Sequence, residues 1–165
     1  MNQLVTSDEL ISRIDHLEHL PRWQGRKQEI EDRLRFAVIA ARDEHIKQIK
    51  FTDPTNDLGY FASFDVWLFS ASSWYFAEIK MRSSNSDRYS SWMIEESKAK
   101  ELESLTQQTG KKSLLITICP DRTMVWDISS KHQKKELQCP ASTMYDQTKR
   151  TKQVRLYPTS TASTI

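Results

Sequence analysis

Residues 59–82 read GYFASFDVWLFSASSWYFAEIKMR, and the rest of the chain is organised around them. Two aromatic-rich apolar runs flank a loop of small residues, Ser70-Ala71-Ser72-Ser73, which is the pattern of a β-hairpin. If the hairpin is symmetric about that loop, Asp65 falls directly opposite Glu78. Residues so opposed share a face, with Cβ atoms roughly 4.5–5.5 Å apart, and like charges placed there are destabilising. Lys80 points to the same face because strand side chains alternate with a period of two. Two carboxylates and an amine therefore gather on one surface of an otherwise apolar hairpin. A divalent cation is the usual group that offsets such repulsion and desolvation.

The remaining hairpin residues are apolar on both faces. Phe64, Val66 and Leu68 are expected to oppose Ile79, Ala77 and Tyr75 on one, and Trp67 and Phe69 to oppose Phe76 and Trp74 on the other. A sheet buried on both faces needs helices on both sides. Upstream, Ser7 followed by Asp8 and Glu9 predicts an N-capped helix to about residue 19, with Leu10, Ile14 and Leu17 on one side. Pro21 and Gly25 interrupt it. Helical spacing of Ile30, Leu34, Ala37, Val38 and Ala41 predicts a longer helix over 24–47, and Asp53-Pro54 and Asn56 then mark a loop.

Downstream, the polar stretch 83–91 lacks periodicity and is expected to be mobile. A helix over 92–109 follows, closed by Gly110. Strands are expected over 113–119 and 124–129, joined by a turn at 120–123, with weaker ones over 135–138 and 152–157. The fold class predicted is α/β, a three-layer α/β/α core with a central mixed β-sheet. One domain is expected over 1–158, its first 23 residues a helical extension, with 159–165 fraying.

Composition sets limits on function. The 38% hydrophobic and 28% charged fractions are those of an ordinary soluble protein, and no apolar run approaches the roughly 20 residues of a membrane span. Acids and His interrupt the first 20 residues, unlike a signal or transit peptide, so a cytoplasmic, intracellular protein is expected. Cys119 and Cys139 make no zinc or redox spacing and are expected as reduced thiols. The net charge of +2 does not announce nucleic-acid binding, but Lys131, Lys134, Lys135, Lys149, Arg150, Lys152 and Arg155 concentrate positive charge in the last third. Such a run is either a solvated surface or a phosphate-binding one.

Two helices carry further candidates. With Ile94 at zero and 100° per residue, Lys98 lies at about +40°, within the apolar stripe, so it either snorkels or brings charge to a partly buried site. Glu101 beside it has the same ambiguity, or simply pairs with Lys98. With Ile30 at zero, the long helix's stripe centres near about +20°, so Glu31 at about +100° flanks it more closely than Glu29 at about −100°. Each of these glutamates could equally be a surface residue pairing with a base one turn away.

Asp65, the tripeptide Glu78-Ile79-Lys80, a long helix before them and a Lys-bearing helix after them together resemble the core of the PD-(D/E)xK nuclease superfamily, from about residue 29 to 127. Phe64 stands where that pattern often has Pro. The resemblance implies a restriction-endonuclease-like core in which Asp65 and Glu78, with the Ile79 backbone carbonyl and a helix carboxylate (Glu31, or Glu29 as fallback), hold Mg2+, Mn2+ being able to substitute. It implies catalytic roles for Asp65, Glu78, Lys80, Lys98 and Glu31, Lys80 stabilising charge at the transition state. Phosphate contacts would come from Arg82, Arg88, Lys98, Lys149, Arg150 and Lys152.

The function so implied is Mg2+-dependent endonucleolytic hydrolysis of DNA, with little sequence recognition of its own. A structure-selective enzyme such as a junction resolvase, or a small nuclease of a phage or mobile element, fits this length better than a site-specific enzyme. A homodimer would suit cutting of both strands of double-stranded or branched DNA. The alternatives are a non-catalytic nuclease-fold subunit that binds nucleic acid or assembles with other proteins, and a plain interaction module of different fold. The aromatics read mainly as core; Tyr89 and Trp92, beside the polar stretch, are the two that could stack on bases.

Overall fold

In the computed structural model the described residues are 4–17, 19–54, 62–142 and 146–165. Gly59, Tyr60 and Asn56 lie outside them. The elements run β1 (Leu4–Thr6), α1 (Ser7–Leu17), α2 (Lys27–Arg42), β2 (Gln48–Thr52), β3 (Val66–Phe69), β4 (Trp74–Met81), β5 (Ser91–Glu95), α3 (Glu96–Thr109), β6 (Ser113–Ile118), β7 (Thr123–Asp127), β8 (Gln133–Ser142), β9 (Asp146–Pro158) and β10 (Ser163–Thr164).

The hairpin register is the one its sequence predicts: Val66 pairs with Ala77, Trp67 with Phe76, Leu68 with Tyr75 and Phe69 with Trp74. Ser70 closes the loop, its N–H donating to the Ser73 carbonyl at 2.8 Å. Around this hairpin forms a sheet of order β1-β2-β3-β4-β6-β7-β10. It is mixed: β4 and β6 run parallel, and the other neighbours are antiparallel. A parallel pair needs a long crossover, and here α3 supplies it.

Both faces of the sheet are covered, so the architecture is the expected α/β one. On one side Val66, Leu68, Ala77, Ile116 and Ile118 pack with Leu10 of α1, with Trp23, and with Ile30, Phe36, Ala37 and Ala40 of α2. On the other side Phe76, Leu115, Met124 and Trp126 pack with Ala99 and Leu102 of α3. Among the described residues no helix is long and apolar enough to cross a membrane.

Several expectations are corrected. Residues 91–95 are a strand, not the first turn of a helix: Trp92 and Ile94 alternate inward and pair with β9, forming a second sheet of order β5-β9-β8. Helix α2 is shorter at both ends, with Gly25 at φ 71° before it and Asp43 in extended backbone after it. The residues that follow form β2, whose Ile49 and Phe51 alternate into the core. Phe64 does not share the Val66 face; the strand begins at Val66, and Phe64 stacks edge-on against Trp67 and Phe76, with centroids at 4.4 and 4.8 Å.

Nor is the 83–91 stretch devoid of structure. It holds a 3-10 turn whose buried Ser86 donates both N–H and hydroxyl to Asp121, at 2.8 and 2.7 Å. Residues 159–165, expected to fray, contain β10 on the edge of the main sheet, pinned by Arg122 Nε donating to Thr164 Oγ1 at 2.9 Å. The N-terminal extension contributes β1 as well as a helix.

Buried Asp53, just after β2, ties that strand's end to the segment between α1 and α2. It accepts from Trp23 Nε1 at 3.1 Å and from Arg22 Nη1 at 2.9 Å. The Asp53→Ala change removes the acceptor of a fully buried indole N–H and is expected to cost about 2–3 kcal/mol. In a chain of this size that lowers the melting temperature by about 5–10 °C. A melt within a degree of wild type would show that the contact contributes nothing.

Candidate active site

Strand β4 lies between β3 and β6 in the main sheet, so its side chains are fixed on both edges. Phe76, Glu78 and Lys80 point to the α3 side and Ala77 and Ile79 to the α2 side, by the period of two. Asp65 sits immediately before β3. Its N–H donates to the Ala77 carbonyl at 2.9 Å, and its carbonyl accepts from Thr52 N–H, also at 2.9 Å. Its Oδ2 accepts from the Ile79 N–H at 2.8 Å. A short carboxylate thus takes a ladder donor at the strand end, close enough to Glu78 for the two charges to repel.

Glu78 is buried, its side chain 5% exposed. One oxygen, Oε1, accepts from Lys80 Nζ at 2.7 Å. The other, Oε2, is buried without a hydrogen-bond partner among the described residues, with Lys98 Nζ standing off at 3.9 Å. Burial first, and then the Asp65 charge, push the Glu78 carboxyl above its usual range against the pull of Lys80 and Lys98. Burial pulls the Lys80 amine down, but the Glu78 and Asp65 charges outweigh it, so its pKa is raised and it stays an ammonium.

Lys98 does not snorkel to bulk solvent. From the first turn of α3, beside buried Ala99, its Nζ reaches Ala62 O at 2.9 Å and Glu101 at 3.7 Å as well as Glu78. The structure therefore brings Asp65, Glu78, Lys80 and Lys98 together around one cavity of about 410 Å3.

Glu31 is not in that cavity; Glu29, the fallback, lines it. The buried residues of α2 are Ile30, Arg33, Phe36, Ala37 and Ala40. On the helical wheel these centre near about −60°, close to Glu29 and far from Glu31. The apolar spacing places the stripe off this centre because it includes Val38 and Ala41, which are exposed, and leaves out Arg33, Phe36 and Ala40, which are buried.

Sequence reasoning also missed Arg33. Its Nη2 donates to Asp65 Oδ1 at 3.1 Å, and Nη1 lies 3.6 Å from Glu29, which Arg26 holds at 2.6 Å. A signal existed: Arg33 falls one turn after Ile30 and one before Ala37, inside the buried stripe.

The basic third divides. Lys149 and Arg150 are exposed on β9 and Arg88 is exposed beside Tyr89. Lys152 pairs with Glu95 at 2.7 Å, and Lys134 with Glu96 at 3.1 Å. Arg155 is buried, holding Glu96 through Nε at 2.7 Å and Nη2 at 3.1 Å and reaching Glu103 as well. Arg82 is half-buried and lies over Trp92, outside the acidic cavity; burial lowers its pKa.

Among the described residues no three of His, Cys, Asp and Glu converge as a preformed metal cage. The donor set that is present, two carboxylates with one orphaned buried oxygen, fits a hard cation that keeps much of its own water, as Mg2+ does. Both cysteines are free and buried.

No protein-family model matches the sequence, and no curated protein matches it. Among solved structures, the chain is similar to Hjc, a Holliday junction resolvase from the archaeal hyperthermophile Archaeoglobus fulgidus. That similarity covers 62% of this chain and 69% of that one, at 10% identity and a TM-score of 0.41.

Proposed function

We propose that this protein is a divalent-cation-dependent endonuclease that hydrolyses phosphodiester bonds in double-stranded or branched DNA, by a site made of Asp65, Glu78, Lys80 and Lys98. The observation that carries the reading is Glu78. A carboxylate buried beside Asp65, with one oxygen left without a hydrogen-bond partner among the described residues, carries a burial cost that a bound cation would offset.

Asp65, Glu78 and the Ile79 carbonyl would hold Mg2+ or Mn2+, which when bound supplies Lewis acidity and an activated water. Arg33 and the Ile79 N–H lock the Asp65 carboxylate in place. Lys80, kept as an ammonium by the two acids, donates to a phosphoryl oxygen as negative charge develops. Lys98, fixed by Ala62 O, bounds the other side of the cavity and offers a phosphate contact. Exposed Arg88, Lys149 and Arg150 add backbone contacts that position DNA without reading it. Two-fold pairing of such chains would suit cutting of both strands of a duplex.

A second reading, a nuclease-fold subunit that binds nucleic acid without cutting it, draws on the Arg33–Asp65 and Lys80–Glu78 pairs, which neutralise both acids with no cation. Wild-type cleavage separates the two, and glutamine substitutions on α2 show which helix carboxylate serves the site. Glu29→Gln loosens Arg33 from Asp65 and is expected to cut the Mg2+-dependent cleavage rate about ten- to hundredfold, whereas Glu31→Gln leaves it within about twofold. Equal effects would remove α2 from the site, and no cleavage by wild type on any DNA would favour the subunit.

A further inference from the structure

A second cavity, of about 500 Å3, lies beyond the acidic one, where β4 ends and the 3-10 turn, β5 and the second sheet meet. Its chemistry is mixed in a specific way. Tyr89, Trp92, Met93, Leu137 and Leu156 supply apolar walls, and Arg82 supplies a guanidinium. Tyr89 is 52% exposed yet braced, its ring edge-on to Trp92 with centroids at 5.2 Å and the Arg88 guanidinium 5.9 Å from its own centroid. Trp92 itself is anchored by Nε1 donating to the Ser86 carbonyl at 3.4 Å.

Arg82 is short of partners. Among the described residues its Nη2 donates to the Met93 carbonyl at 3.4 Å and its Nε is buried without an acceptor. A guanidinium offers five donors in a fixed fork, so a half-buried one with donors to spare is matched to an oxygen- or nitrogen-rich ligand. Its position says which. Glu78, Lys80 and Arg82 fall at successive alternate positions on one face of the β4 strand line, which the Arg82 N–H continues by donating to the Ile118 carbonyl at 2.9 Å. Arg82 thus stands one strand repeat, roughly 7 Å, beyond the amine that faces the scissile phosphate.

We infer that this cavity takes the base of one unpaired nucleotide next to the cleavage point, stacked on Tyr89 and hydrogen-bonded by Arg82, so that the enzyme selects DNA with unstacked bases over intact duplex. The inference rests on the nuclease reading for its orientation. An intact duplex keeps its base faces stacked and offers only edges, whereas a pocket walled by a ring and leucines needs a free face. Taking the base out of the stack costs least where it is already unpaired.

The test is binding, not cutting. The full-length Glu78→Gln protein is titrated, without metal, into a short duplex carrying a single bulged 2-aminopurine and into the same duplex fully paired. The bulged DNA is expected to bind at least tenfold tighter, with a change in 2-aminopurine fluorescence. Adding Tyr89→Ala lowers that affinity by roughly five- to hundredfold, the range of one lost base stack, and leaves the paired duplex within about twofold. Arg82→Gln, checked for an unchanged melt, gives the same selective loss. No preference for the bulge, or equal weakening on both DNAs, overturns the inference. Wild-type cleavage is scored separately: cutting without bulge preference sinks the pocket and spares the nuclease, and bulge binding without cutting does the reverse.

Discussion

Glu78→Gln is expected to abolish Mg2+-dependent cleavage, by a factor of at least 10²–10³ in rate, while the protein melts at or above the wild-type temperature in EDTA. The two halves of this result have one cause. A carboxyl whose folded pKa is raised binds its proton more readily folded than unfolded, so its contribution to stability falls as pH rises from the ordinary glutamate range through the folded value. At neutral pH its ionised form is a net cost, the pull of Lys80 and Lys98 already included. A neutral group of the same shape removes that cost and, with it, the cation's ligand, while Lys80 keeps the Asp65 charge and an amide oxygen in place of the Glu78 anion. A mutant that melts well below wild type would mean that the Lys80–Glu78 pair holds the sheet together and is not poised for a ligand.

Arg155→Met should give the largest loss of stability of any single charged side chain here, about 3 kcal/mol. The figure sits at the low end for breaking a buried ionic cluster because Glu103, one of its partners, is more than a third exposed. Arg155 is 3% exposed on its side chain and ties β9 to α3 through Glu96 and Glu103. Without it Glu96 stays behind as a nearly buried anion held mainly by Lys134. The melting temperature is expected to fall by about 6–12 °C.

An acid titration carries the same signature. The hydrogen bonds from Arg155 hold the Glu96 carboxyl down at about 2. A depressed carboxyl stabilises the fold fully above its unfolded range and loses that contribution as pH falls from about 5 toward 2. Wild type should therefore lose stability across that window more steeply than the Arg155→Met protein. Parallel pH profiles would show that the cluster is screened and contributes little.

The heart of the molecule was readable from the chain because it is local. A four-residue loop of small side chains fixes the register of β3 and β4 as far as Val66 opposite Ala77; Asp65 lies one residue beyond it, its N–H on the Ala77 carbonyl and its side chain on the Ile79 N–H. Gly110 announced the end of α3 and does adopt φ 68° there. What escaped depends on distant partners. The run Ser91–Glu95 becomes a strand only because β9, some sixty residues later, pairs with it, and by itself its apolar spacing suits the start of a helix. The wheel for α2 missed on several residues: Val38 and Ala41 face solvent, Phe36 and Ala40 are buried outside the expected stripe, and Arg33 is buried because Asp65 and Glu29 await it. The positive C-terminal third was legible as charge but not as pairing, since Arg155 and Lys152 are spent on acids of α3 and β5.

Incubation of the wild-type protein with a panel of four-way, bulged, single-stranded and plain duplex DNA, across a Mg2+ titration and with EDTA, tests the central claim most directly. The account predicts internal cleavage that rises with Mg2+, stops on chelation and is lost in Asp65→Asn. Cleavage that persists in EDTA or in Asp65→Asn, or none on any of these DNAs at saturating Mg2+, would contradict it.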